Sequence, residues 1–77
     1  MLYANENDIM RCTQVIQKIL EKNNLFFNEA LAEKIAIDVM RISLSKGGDY
    51  SEKVIRAFAE VYISKKFYTK FLKEGIN

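Results

Sequence analysis

Seventy-seven residues with a net charge of +2, one cysteine, no histidine and no proline make at most one domain around one small core. The missing histidine removes the commonest general base and excludes Ser–His and Cys–His nucleophilic pairs. A lone cysteine closes no intrachain disulfide and holds no zinc. No catalytic residue, cofactor or metal is expected.

Residues 1–7 read as a polar start. Met1–Glu6 lacks the basic and apolar regions of a secretory leader. No apolar run is long enough to span a bilayer, and the free thiol suits a reducing compartment; the sequence therefore predicts a cytoplasmic protein. The first helix is expected over about 8–22, capped by Asn7. Ile9, Cys12, Val15, Ile16, Ile19 and Leu20 share one arc, opposite Arg11, Lys18, Glu21 and Lys22. Cys12 on that arc reads as a small core hydrophobe. Asn23-Asn24 is the expected stop, since asparagine tolerates a left-handed backbone.

A second helix is expected over about 28–46, capped by Asn28 and stopped by Gly47-Gly48. Its apolar side chains cover about two thirds of its circumference, as in a buried helix. Leu31, Ile35, Val39 and Ile42 make one stripe; Ile37, Met40 and Leu44 make another. Lys34, Asp38, Arg41 and Ser45 form the narrow polar remainder. Glu29 and Glu33, one turn apart, read as compensation of the helix dipole. Ser43-Leu44-Ser45-Lys46 spells S-x-x-K without the scaffold that makes that spacing catalytic.

The third helix is expected over about 50–73, with Asp49 and Glu52 at capping-box spacing. Val54, Ala57, Phe58, Val61 and Tyr62 form its core stripe. Glu52–Arg56 and Arg56–Glu60 make i,i+4 pairs. That stripe fails at Lys65, while Ile63, Phe67 and Phe71 define another face, so the helix bends or stops near Ser64. Gly75 is a candidate final cap. The fold predicted is all-α, one domain over 1–77: a three-helix bundle, four if the last helix is split, with the second helix at its centre.

A core this small supplies only about 3–5 kcal/mol. With 49% hydrophobic residues, the surplus apolar surface predicts a homodimer and a protein partner, met through Ile37, Met40, Leu44, Ile63, Phe67 and Phe71. The expected function is a non-enzymatic regulatory protein that self-associates and binds another macromolecule. The alternative is a nucleic-acid-binding regulator. Basic residues outnumber acidic ones eight to five over 36–77. Lys65, Lys66, Lys70 and Lys73, with Arg41 and Lys46, are candidate phosphate contacts, and the interleaved aromatics can stack on bases.

Leu31-Ala32-Glu33-Lys34-Ile35-Ala36-Ile37-Asp38-Val39-Met40-Arg41-Ile42 resembles the helix-turn-helix core of bacterial repressors. The resemblance implies a turn at Ala36, a core of Ile37, Val39 and Ile42, and a recognition helix capped by Asp38. Alanine stands where that family usually has glycine. Nothing in Ile35–Val39 breaks a helix, so one continuous helix is expected here rather than two.

Overall fold

The computed structural model describes residues 5–73, without the Lys73 side chain. Among the described residues four helices follow in order: α1 (Glu6–Lys22), α2 (Glu29–Ser45), α3 (Glu52–Ser64) and the short α4 (Thr69–Lys73). No strand occurs among the described residues. The first four residues of the expected polar start and the Gly75 cap lie outside the described residues.

Local chemistry sets most boundaries. The cap of α1 is Asn5, not Asn7: its side chain accepts the Asp8 N–H at 2.8 Å. Asn28 caps α2 as expected, accepting from the Leu31 N–H at 2.7 Å. The Asp49–Glu52 capping box does not form. Asp49 accepts the Ser51 N–H instead, and Ser51 stands at the cap position without a side-chain bond.

The first three helices all end in the same way. Asn24, Gly47 and Lys66 adopt left-handed φ values of 60°, 82° and 60°. In each case the next residue's N–H returns to a carbonyl five residues back: Leu25 to Leu20, Gly48 to Ser43, Phe67 to Tyr62. These are Schellman stops, which satisfy the orphan carbonyls of the last turn. The third is closed by aromatic packing, the Phe67 ring lying edge-on to Tyr62 at 5.6 Å.

Helix α3 stops at Ser64, where the sequence predicts a bend or a stop, so the expected last helix is split into two, parted at Lys65–Tyr68. The continuous-helix reading holds over the helix-turn-helix resemblance. Residues 31–42 lie inside the unbroken α2, with no turn at Ala36 and no recognition helix beginning at Asp38.

Helices α1, α2 and α3 each pack against the other two, so they form a triangle rather than a row with α2 in the middle. The radius of gyration is 11.5 Å, about the 11 Å expected of a self-contained domain this long. The expected arc of α1 enters the core, with Ile9 at its edge. On α3 the core face is turned about a quarter revolution from the expected stripe. Ile55, Ala59, Tyr62 and Ile63 are buried, Val54 and Phe58 are half-buried, and Ala57 and Val61 face out. Both stripes are apolar, and the one carrying the two isoleucines buries more surface.

This packing corrects the expected interface. Met40 is fully buried and Ile63 nearly so; both are covered by their own chain and offer nothing to a partner. Ile37 and Phe71 are half-buried. Leu44 and Phe67 stay open, at 42% and 49% exposure. The apolar surplus behind the homodimer expectation is thus partly absorbed inside one chain.

Candidate site at the α2–α4 junction

Asp38 is the centre of the site. The helical pattern puts it on the polar strip of α2, yet it is only 8% exposed. Tyr62 from α3 donates its hydroxyl to Asp38 Oδ2 at 2.6 Å. Lys70 from α4 places Nζ 2.6 Å from the same oxygen. Arg41 Nη1 stands 3.6 Å from Oδ1. One carboxylate therefore ties three helices together.

Burial alone would push the Asp38 carboxyl up. The hydrogen bonds from Lys70 and Tyr62 and the charges of Lys70 and Arg41 outweigh burial and hold it below its ordinary value. Burial, with the adjacent carboxylate, pushes the Tyr62 phenol far up. Tyr62 is therefore a neutral donor and Asp38 a charged acceptor at neutral pH.

Beside this cluster lies a cleft of about 230 Å³, lined by Lys34, Ile37, Asp38, Arg41, Lys70 and Phe71. Lys70 Nζ also lies 5.2 Å from the Phe71 ring centroid, within cation–π range. Three cations face one carboxylate. Ile37 and Phe71, from the expected interface, share this cleft with Arg41 and Lys70, from the expected phosphate contacts.

The remaining candidates are spread out. Lys46 is the exposed C-cap residue of α2. Lys65 and Lys66 are exposed at the α3 stop. Lys73 closes α4, and its side chain lies outside the described residues. Lys70, read as a free phosphate contact, is instead engaged by Asp38. Sequence reasoning missed Asp38 and Tyr62 as a pair, because they are 24 residues apart on separate helices and no local spacing joins them.

The other candidate groups have structural roles. Ser43 is fully buried and donates to the Asp49 carbonyl at 2.6 Å, anchoring the α2–α3 loop; the S-x-x-K spacing does no chemistry there. Cys12 is fully buried, and burial raises its thiol, which makes it a poor nucleophile. The Tyr50 carbonyl accepts from Arg11 at 2.7 Å and lies 4.0 Å from Cys12 Sγ, so α1 grips the same loop.

Glu29 and Glu33 are exposed and line a second groove with Glu6 and Met10, of about 670 Å³, between α1 and α2. Among the described residues no cluster of three metal-ligating side chains exists, and no helix is long and apolar enough to cross a membrane.

No protein-family model matches the chain, and comparison with curated proteins and with solved structures returns no match.

Proposed function

We propose that this chain is a small, cytoplasmic, non-enzymatic interaction protein that docks an acidic macromolecular partner on the α2–α4 face. The observation that carries this reading is the cleft just described. Lys34, Ile37, Arg41 and Leu44 lie at i, i+3, i+7 and i+10 on one side of α2, and Lys70 and Phe71 extend the face from α4. Alternating cations and apolar side chains suit a partner that alternates carboxylates and apolar groups.

Self-association takes a head-to-tail form on this reading. A two-fold contact through the α2–α4 face would bring like cations together, whereas the Glu6–Glu29–Glu33 groove of a second copy offers the opposite charge.

Panning a random peptide display library on the immobilised protein tests the proposal. Enriched sequences should pair acidic with apolar residues and lose binding to an Ile37→Glu, Leu44→Glu variant. Enrichment indifferent to that variant refutes it. Light scattering across salt concentrations tests self-association, which should weaken as salt screens the two faces.

A second reading, nucleic-acid binding, is favoured by one observation: Lys65, Lys66 and Phe67 are all exposed at the α3 stop. Affinity for single-stranded oligonucleotides should then fall steeply with salt, and less steeply in a Lys65→Ala, Lys66→Ala variant. No binding at low salt removes this reading.

A further inference from the structure

We propose that the α2–α4 cleft receives a phosphomonoester dianion carried by a polypeptide partner; this rests on the interaction reading above and names the group it recognises. The first argument is charge. Lys34, Arg41 and Lys70 surround Asp38, leaving a local surplus of two positive charges.

The Asp38 carboxylate does not cancel that surplus. Its Oδ2 is occupied by the Tyr62 hydroxyl and Lys70 Nζ, each at 2.6 Å. Its Oδ1 is 3.6 Å from Arg41, beyond hydrogen-bond reach. The Arg41 guanidinium therefore has no hydrogen-bond acceptor among the described residues, and its side chain is 66% exposed. Lys34 is exposed as well and has no ion-pair partner among the described residues.

A phosphomonoester carries about −1.5 to −2 charges at neutral pH, which matches the surplus. A carboxylate or a phosphodiester carries one. The planar guanidinium fork fits two phosphoryl oxygens at once, and Lys34 approaches from two turns away on the same side of α2. Lys70 reaches in from α4, held by Asp38, which is thereby a positioning residue.

Size and lining argue for a head group on a larger partner. The cleft holds about 230 Å³, less than the ~300–1,000 Å³ of a complete small-molecule pocket. Its walls of Ile37 and Phe71, with Leu44 beyond Arg41, suit apolar side chains flanking the phosphorylated residue. A nucleic-acid backbone would instead present single charges in a row, which a compact group of cations does not match.

The test titrates the isotope-labelled full chain at low ionic strength, following backbone amide shifts. Four probes are used: a short peptide with one phosphoserine between two leucines, its serine and glutamate counterparts, and inorganic phosphate. The phosphopeptide should give saturable shifts on α2 and α4 and bind at least about tenfold tighter than the other three, a gap one added charge contact can supply. Binding should weaken as pH falls below about 6, where the second phosphate proton binds. A Lys34→Ala, Arg41→Ala variant should stay folded, its melting temperature lowered by no more than about 5 °C, and lose saturation.

Equal binding of the glutamate peptide, equal binding of inorganic phosphate, or saturation surviving in the variant overturns the proposal. If panning yields unphosphorylated acidic sequences that bind through Ile37 and Leu44 while the phosphopeptide fails, the interaction reading stands and this inference falls.

Discussion

Replacing Asp38 by alanine removes a contact shared by α2, α3 and α4. The Tyr62 hydroxyl, on a residue only 2% exposed, loses its acceptor, and an unsatisfied buried donor costs about 1–3 kcal/mol. The Lys70 and Arg41 side chains are more than half exposed, so each contributes only as a screened surface pair, about 0.2–1 kcal/mol. The loss is therefore about 1.5–5 kcal/mol, a large share of the stability a chain this short is expected to have. Melting followed by circular dichroism should show a midpoint lower by roughly 10–30 °C.

Asp38→Asn keeps an acceptor for Tyr62 and should lose less than half as much. The acid limb supplies a second measure. The Asp38 pKa is lowered on folding from its ordinary 3.8, so its contribution is present above that value and disappears as pH falls through the lower folded value. The stability gap between wild type and Asp38→Asn should close in acid. Asp49 is also held low, by its bonds to Ser51, but it is common to both proteins and drops out of the difference. An Asp38→Ala variant within about 0.5 kcal/mol of wild type would show that the cluster does not join the helices.

Met40→Ala should lose about 2–5 kcal/mol by opening a cavity, and Leu44→Ala less than about 0.5 kcal/mol; similar losses at both in urea unfolding would contradict their separation into core and surface. In Gly48→Ala a new Cβ would sit 2.6 Å from Ser43 Oγ and 3.2 Å from the Ser43 carbonyl oxygen. Because that hydroxyl is held by Asp49, the substitution should destabilise by about 1–3 kcal/mol, measurable by the same unfolding curve. Lys66→Gly should leave stability unchanged or raise it by up to about 1 kcal/mol, since glycine adopts the left-handed stop without strain. Lys66→Val should lower stability, because a β-branched side chain resists that conformation; the reverse order would mean Lys66 leaves the left-handed region in solution.

Where α1 and α2 stop is written locally. Asn24 and Gly47 are residue types that accept a positive φ, and Asn28 is a good cap, so torsional preference and a few nearby hydrogen bonds suffice. The arc of α1 is legible for a similar reason: it has only one apolar side to bury. Lys66 carries no such signal. Its left-handed turn goes with the packing of Phe67 on Tyr62 and the burial of Tyr68 against Phe27, contacts absent from an isolated helix.

The choice of faces belongs to the assembled bundle. Helices α2 and α3 each have two apolar stripes, and their own periodicity does not rank them. Mutual packing of α1, α2 and α3 draws in Met40 and Ile63 and leaves Val61 and Leu44 outside. Asp38 shows the limit most clearly. On a lone α2 it belongs with Lys34 and Arg41 in water; only when α3 brings Tyr62 and α4 brings Lys70 do its oxygens find partners good enough to offset leaving solvent. Short-range torsions and caps are properties of neighbouring residues, whereas burial and charge pairing depend on which distant side chains arrive.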